Sequence, residues 1–146
     1  MNPNKIYLTQ TDTTVGFVSQ DKTKLNKIKN RPSNQPVLRE VESLETLRSF
    51  VRVPKIHKKR VRRAKKTTFI FPNGESFRVV RDERHLRFLK KFKWMYSTSA
   101  NLHGKPFDEV WAREKADITV EDKRGLFEGK ASWIFKISKN KIKRIR

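Results

Sequence analysis

The sequence contains no cysteine, which excludes a disulfide framework, thiolate catalysis and cysteine-ligated zinc. Its three histidines, His57, His85 and His103, do not have the spacing of metal ligands, so no metal site is predicted. No apolar run approaches the ~20 residues that span a bilayer, and Met1–Gln10 lacks the charged-then-apolar pattern of a signal peptide. We therefore expect a cytoplasmic protein without a membrane partner.

Acidic residues are also scarce. The 36 Lys and Arg exceed the 15 Asp and Glu by enough to give a formal net charge of +21. An excess of this size predicts a polyanionic partner, such as nucleic acid, nucleotide phosphates or an acidic membrane surface. Ten Phe and three Trp in a chain of 146 residues indicate a packed interior. We therefore expect one compact domain over residues 1–146.

Short apolar stretches alternate with turn-forming segments along the whole chain. Their composition predicts strands at 15–19, 37–41, 67–71, 77–80, 94–96, 118–120, 131–137 and 141–145. Helices are predicted at 23–28, at 44–51 after a Ser43 cap, at 85–92, and from an Asp108 cap through Trp111. This mixed order predicts an α/β or α+β sheet in one domain.

Two cations stand close together in a loop. Lys29 and Arg31 are two residues apart and are followed by Pro32. Arginine can bind phosphate through two parallel hydrogen bonds and lysine acts as a point charge, so the pair is suited to a triphosphate. The alternative is a solvated basic loop in a protein that has many cations.

Hydroxyl and amide side chains are concentrated in two runs, Thr11-Asp-Thr-Thr14 and Ser97-Thr-Ser-Ala-Asn101. Such donors suit phosphate oxygens or a small polar substrate, but turn and capping chemistry would explain them as well. Arg81 follows an apolar strand and could clamp a substrate carboxylate, or it could lie on the surface.

The segment Arg52–Lys66 holds nine Lys or Arg and no acidic residue. Cations at this density suit the phosphates of RNA, whereas most charge runs are solvated faces. The segment has too few apolar residues for a deep core face. The chain has no Walker-type glycine loop and no recognisable Ser-His-Asp arrangement. The predicted RNA contacts are Lys58, Lys59, Arg60, Arg62 and Arg63.

Taken in order, these segments resemble the YrdC-like family of threonylcarbamoyl-AMP synthases. The family's strand entrance is similar to Gln10-Thr-Asp-Thr-Thr-Val-Gly16, and its Lys-x-Arg-Pro loop to Lys29–Pro32. Its arginine-bearing strand resembles Val79-Val-Arg81, with His85 in register, and its Ser-x-Asn signature resembles Ser97–Asn101. Further similarities are Thr67–Phe71, Ala131–Phe135 and Arg144–Arg146.

The resemblance implies an open, twisted mixed sheet with surrounding helices and a concave basic pocket. It also implies a nucleotidyltransferase that makes threonylcarbamoyl-AMP and pyrophosphate from L-threonine, bicarbonate and ATP with Mg²⁺, for threonylcarbamoyladenosine modification of tRNA. By this resemblance Lys29 and Arg31 are catalytic. The implied nucleotide contacts are Lys29, Arg31, Gln35, Thr68, Ser97, Ser99, Asn101 and Arg146, and the implied threonine contacts are Thr11, Arg81 and Ser132.

Two other functions are left open by the sequence. A non-catalytic binder of double-stranded RNA or tRNA with the same fold would explain the net charge, and so would a basic ribosome-associated protein. The hydroxyls and amide of Ser97–Asn101 favour the enzyme, because a pure RNA binder needs positive charge but not those groups. Expected partners are therefore the small substrates, tRNA or double-stranded RNA, and proteins of the tRNA threonylcarbamoyl transfer machinery.

Overall fold

Nine strands form one open sheet in the computed structural model, which describes residues 1–146. The strands are β1 (Tyr7–Gln10), β2 (Val15–Ser19), β3 (Leu38–Val41), β4 (Thr67–Ile70), β5 (Ser76–Val79), β6 (Trp94–Ser99), β7 (Ile118–Val120), β8 (Trp133–Ile137) and β9 (Ile142–Arg144). The helices are α1 (Lys22–Ile28), α2 (Leu44–Phe50), α3 (Lys58–Arg63), α4 (Glu83–Leu89) and α5 (Glu109–Lys115), and a 3₁₀ turn (Lys55–His57) leads into α3.

The sheet is mixed, as predicted. Its strand order is β7-β1-β2-β6-β3-β5-β4-β8-β9. The pairs β1–β7, β3–β5 and β4–β8 are parallel, and the other five are antiparallel. Each helix has six or seven residues, so none is long enough to cross a membrane.

Side-chain caps define where the helices begin. The predicted caps Ser43 and Asp108 each accept a hydrogen bond from a backbone N–H in the first turn of the following helix. Asp82 caps α4 in the same way, so that helix begins at Glu83, two residues before the predicted start. Strand β6 extends to Ser99, so the predicted hydroxyl run begins inside the strand.

The largest core cluster lies under α2 and α3. Leu47 of α2 and Val61 of α3 join Phe69 and Phe77 of the sheet in this cluster. Val61 is only 2% exposed. The segment Arg52–Lys66, which has too few apolar residues for a deep core face, nevertheless buries two of them, Val53 and Val61, in this cluster.

Candidate active site

Two adjoining cavities open where β6 ends. The first, called the hydroxyl cavity here, has a volume of about 200 Å³, and the second, the basic cavity, has a volume of about 490 Å³ and no hydrophobic side chain in its wall. Thr98 and Ser99 belong to both walls, so the cavities form one groove. Of the predicted residues, the hydroxyl cavity has Thr11, Ser97, Ser99, Ser132 and Arg146, and the basic cavity has Lys29, Arg31, Gln35, Ser99 and Asn101.

A close strand pairing brings the two runs of hydroxyls together. Gly16 of β2 lies opposite Ser99 of β6 in the antiparallel register. A Cβ atom at Gly16 would lie 3.0 Å from the carbonyl oxygen of Thr98 and 3.2 Å from the methyl carbon of Thr11. A residue without a side chain is needed here, because a larger one would push β2 away from the groove.

Lys29 is fixed by the end of β6. It follows α1 directly and is 7% exposed. Its Nζ donates to the carbonyl oxygen of Ser99 at 2.8 Å, to the Ser99 hydroxyl at 3.4 Å, and to the carbonyl oxygen of Asn101. Burial, together with the charge of Arg31, lowers the pKa of Lys29 to about 8. Lys29 thus supplies a positive charge and also holds the Ser99–Asn101 turn in place.

The guanidinium of Arg31 has N–H donors that form no hydrogen bond within the protein. Its Nη2 donates to the Thr98 hydroxyl at 3.3 Å, while its Nε is buried without a partner. The loop that carries it is anchored by Asn26 of α1, whose side-chain amide donates to the carbonyl oxygens of Ser33 and Gln35. Arg31 is therefore the cation of the basic cavity that is best placed to bind an anion directly.

The loop between β1 and β2 is held from both sides. Thr11 donates its hydroxyl proton to the Thr14 carbonyl oxygen at 2.6 Å and accepts from the Thr13 backbone N–H at 3.2 Å. The loop 121–132 covers it, and the Gly129 N–H donates to the Thr14 hydroxyl at 2.9 Å. A Cβ atom at Gly129 would lie 2.1 Å from the Thr13 carbonyl oxygen, so only glycine fits.

Ser132 lines the hydroxyl cavity and is held in place by Thr68 and Arg146. Its hydroxyl lies 2.8 Å from that of Thr68, and Arg146 donates to its carbonyl oxygen at 2.9 Å and to its hydroxyl at 3.3 Å. Thr68 is 4% exposed and lines neither cavity. The predicted contact between Thr68 and a nucleotide is therefore not supported, and Thr68 instead positions Ser132.

A fully paired arginine lies under the hydroxyl cavity. The Nε of Arg78 donates to both carboxylate oxygens of Asp12 at 3.0 and 3.1 Å, its Nη1 donates to the Thr68 hydroxyl at 3.1 Å, and its Nη2 donates to Glu40 at 2.5 Å. The other oxygen of Glu40 lies 2.8 Å from Nε2 of His85. All four ionisable groups are buried. Burial on this scale requires close pairing, because an unpaired buried charge is strongly destabilising.

Burial and ion pairing shift the pKa values of the residues in this cluster. Burial by itself raises the pKa of Glu40, but the charges of His85 and Arg78 outweigh it and bring that pKa down to about 2. Burial lowers the pKa of His85, but Glu40 and Asp12 outweigh burial and raise it above its ordinary value. Burial raises the pKa of Asp12 despite the neighbouring Arg78. The contacts within the cluster therefore favour the charged forms of Glu40 and His85.

Three residues of this cluster have ligand atoms close enough for a metal ion. Atoms of Asp12, Glu40 and His85 all lie within 4.8 Å of one another. The guanidinium of Arg78 already binds both carboxylates, and a divalent cation beside it would be repelled. The cluster is therefore an ion-pair network, and its residues do not fit a metal ion.

Arg81 lies outside the groove. Its side chain is exposed, and Nη1 donates to the Arg62 carbonyl oxygen at 3.1 Å. It lines a different cavity, beside Arg62 and Glu42. The expected contact of Arg81 with a threonine carboxylate beside Ser132 is therefore not supported, because the arginines in the wall of the hydroxyl cavity are Arg78 and Arg146.

Sequence reasoning missed Arg78, although the sequence contains a signal for it. Arg78 stands between Phe77 and Val79 in a short apolar strand, and an arginine inside a buried strand needs an acidic partner. Asp12 and Glu40 are far from it along the chain, so its partners cannot be identified without the fold.

The predicted RNA contacts on α3 lie apart from the groove. Lys58, Lys59, Arg60, Arg62 and Arg63 line neither cavity. None of the nine cations of Arg52–Lys66 forms an ion pair with a carboxylate. A larger cavity of about 670 Å³ near the 3₁₀ turn contains none of the predicted site residues.

Known structures share this fold. P. abyssi Sua5 complexed with L-threonine superposes with a TM-score of 0.73 at 18% identity, over 97% of this chain and 50% of that one. E. coli YciO gives a TM-score of 0.74 at 14% identity, over 98% and 82% of the two chains. A full-length HypF in its phosphate- and nucleotide-bound form gives 0.75 at 14% identity, over 97% and 26%. A search of curated proteins gives no match.

The sequence profile of the Sua5/YciO/YrdC family, described as telomere recombination, matches residues 1–146. The chain therefore belongs to this family, and the resemblance found in the sequence is confirmed. The chain spans about half the length of the two P. abyssi Sua5 chains that it matches, 49% of one and 50% of the other.

Proposed function

We propose that the chain is an L-threonylcarbamoyladenylate synthase that serves threonylcarbamoyladenosine modification of tRNA. The observation that carries this proposal is the pair of adjoining cavities, one basic and one lined by hydroxyls, which share Thr98 and Ser99. A reaction between a nucleotide and a small amino acid needs two such sites in contact. P. abyssi Sua5 binds L-threonine and HypF binds a nucleotide, which supports both assignments.

The reaction needs no protein nucleophile. The amine of L-threonine is first carboxylated by bicarbonate, with loss of water. An oxygen of the resulting carbamate attacks the α-phosphorus of ATP and forms a P–O bond. The bond to the β-phosphate oxygen breaks, and pyrophosphate leaves with the electron pair. The protein then has to position two anions and stabilise the charge that moves to pyrophosphate.

The residues of the basic cavity would hold the triphosphate. Arg31 would bind phosphate oxygens through its free donors, and Lys29 would supply charge while it holds the Ser99–Asn101 turn. Gln35 and Asn101 would contact the rest of the nucleotide. Mg²⁺ would be held by the ATP phosphates, because neither cavity wall contains Asp or Glu.

The hydroxyl cavity would hold threonine. Its volume of about 200 Å³ suits a small amino acid, and Thr11 and Ser132 offer hydroxyls to the amino and carboxylate groups. Arg146 is the cation in this wall without a carboxylate partner, since Arg78 is fully paired. Arg146 would therefore contact the substrate carboxylate or the phosphates next to it.

Labelled bicarbonate tests the proposal by following the product. The chain, ATP, Mg²⁺ and labelled bicarbonate are combined with L-threonine, L-serine or no amino acid, and the nucleotides are separated. The expected result is a labelled adenylate that requires both ATP and L-threonine. A folded protein that forms none under these conditions would contradict the proposal.

RNA binding without catalysis is the second candidate function. The observation in its favour is that none of the cations of Arg52–Lys66 is neutralised by a carboxylate. RNA affinity that falls steeply with salt, in a protein that forms no labelled adenylate, would favour this function. RNA affinity that does not change with salt would contradict it.

A further inference from the structure

An exposed tryptophan lies beside the unpaired cations that surround α3. Trp133 is the first residue of β8 and is 47% exposed. Its backbone N–H donates to the carbonyl oxygen of Lys66 at 3.0 Å, and it lies opposite Thr67 in the parallel register. These contacts place the indole at the end of the basic segment.

The indole is on the sheet face that α3 covers. Because side chains alternate along a strand, Trp133, Phe135 and Ile137 share one face of β8. Ile137 belongs to the core cluster that Val61 of α3 also enters, and Phe135 packs against that cluster. Trp133 therefore extends the buried apolar face outward to the point where α3 no longer covers it.

Cations surround this indole. The guanidinium carbon of Arg144 lies 4.3 Å from the centre of the Trp133 ring. Lys65 and Lys66 are exposed just before β4, where the Trp133 N–H bonds to the Lys66 carbonyl oxygen. None of these three cations is paired with a carboxylate. An accessible aromatic ring among unpaired cations is suited to a ligand that has both flat rings and phosphates.

We propose that Trp133 stacks on an unpaired base of an RNA whose phosphates contact the cations of α3 and Arg144. A flat ring together with a basic track is how proteins bind single-stranded nucleic acid. A duplex keeps its bases stacked on one another, so it offers no base face to an exposed indole. The inference rests on RNA binding by Arg52–Lys66 and does not depend on whether the chain is also a synthase.

The test compares single-stranded and double-stranded RNA. Binding of a labelled ~12-nucleotide single strand, and of its duplex, is measured over a range of salt concentrations. The proteins are the wild type, Trp133→Ala, Trp133→Phe and Phe127→Ala, the last as a control because Phe127 is also 47% exposed but lies in the loop 121–132, outside β8. Circular dichroism establishes that each variant is folded.

We expect Trp133→Ala to weaken single-strand binding by roughly fivefold to 150-fold, the range found when a stacking aromatic is replaced by alanine. Duplex binding should change by less than about twofold, and the salt slope should stay the same, because no phosphate contact is lost. Trp133→Phe should retain most of the single-strand affinity, and Phe127→Ala all of it.

Three results would overturn the inference. If Trp133→Ala has no effect, or weakens single-strand and duplex binding equally, Trp133 does not stack on a base. RNA binding by the cations of α3 would still stand. Trp133-dependent binding to phosphatidylserine vesicles that is tighter than RNA binding at the same salt would assign the surface to a membrane. If neither RNA binds, both the stacking and the second candidate function are wrong.

Discussion

At the scale of single residues, the two cations of the basic cavity have different tasks. The donors of Lys29 are directed at Ser99 and Asn101, whereas Arg31 has a buried Nε without a partner. The sequence assigns both cations to a triphosphate, because spacing alone does not show where each side chain points. From these contacts we propose Arg31 as the direct anion donor and Lys29 as a positioning residue that also carries charge.

Arg31→Ala should weaken ATP binding. Loss of a hydrogen bond to a charged group costs about 1.5–3 kcal/mol, which is about tenfold to 150-fold in dissociation constant. Isothermal titration calorimetry with Mg-ATP measures this change. Arg87→Ala is the control, because Arg87 is exposed on α4 and lines neither cavity. Equal ATP affinity in the Arg31 variant and the wild type would show that Arg31 does not bind ATP.

ATP affinity should fall as the pH rises above about 8, because burial has lowered the pKa of Lys29 to about 8. Below that pH the ammonium is charged and attracts the phosphates; above it, binding must first restore the proton. One such proton weakens binding by at most about tenfold per pH unit. Lys29→Arg should remove this pH dependence, since arginine stays charged. If the ATP affinity of Lys29→Arg falls with pH as it does in the wild type, a group other than Lys29 causes the pH dependence.

The buried cluster should make stability depend on pH in two directions. Glu40 outweighs the effect of burial and raises the pKa of His85 above 6.5 in the folded protein. The stability that charged His85 contributes is therefore complete below pH 6.5, and it is lost as the pH rises through the pKa of His85 in the folded state. The pKa of Glu40 falls from 4.5 to about 2, so its contribution is complete above pH 4.5 and is lost as pH falls toward 2.

Urea unfolding of the wild type and His85→Gln tests this linkage. The wild type should lose stability relative to the variant as pH rises above 6.5, because only the wild type loses a cation that is paired with Glu40. Wild type and variant curves that stay parallel from about pH 6 to about pH 9 would show that folding does not raise the pKa of His85, and would contradict this linkage.

At the scale of elements, the local patterns were predictable and the pairings between distant elements were not. Ser43 and Asp108 were recognised as caps because capping depends on residues three or four apart. The sequence also predicts strands at 131–137 and 141–145, and the structure pairs them as the antiparallel β8 and β9. Arg81 lies outside the groove, and only the fold shows that Arg78, three residues earlier, points toward Asp12.

The loop 121–132 should depend on Gly129. A Cβ atom there would lie 2.1 Å from the Thr13 carbonyl oxygen, so Gly129→Ala must displace the loop that covers Thr11–Thr14. We expect a loss of about 1–3 kcal/mol in the free energy of unfolding, measured by urea denaturation. Weaker binding of L-threonine should accompany it.

Gly125→Ala is the matched control for this loop. Gly125 has a φ of +72° but nothing within 4 Å of a new Cβ atom, so its substitution strains the backbone without a steric clash. If Gly125→Ala weakens threonine binding as much as Gly129→Ala does, the close contact with Thr13 is not what shapes the hydroxyl cavity.

At the scale of the whole molecule, positive charge is divided between two surfaces. The groove contains Lys29, Arg31 and Arg146, while the cations of α3 and Arg144 lie outside it. The net charge of +21 predicted a polyanionic partner but could not distinguish a nucleotide from RNA. The order of motifs predicted the family and the mixed sheet, because motif order depends on the fold and net charge does not.

Pyrophosphate release from ATP with Mg²⁺ and bicarbonate, measured with and without L-threonine, is the decisive test of the proposed synthase. The account predicts release that depends on L-threonine, because the two adjoining cavities bring threonine carbamate to the α-phosphate, and it predicts a much slower rate in Arg31→Ala. Release that is the same without threonine, or no release from a folded protein that binds both ATP and threonine, would contradict it.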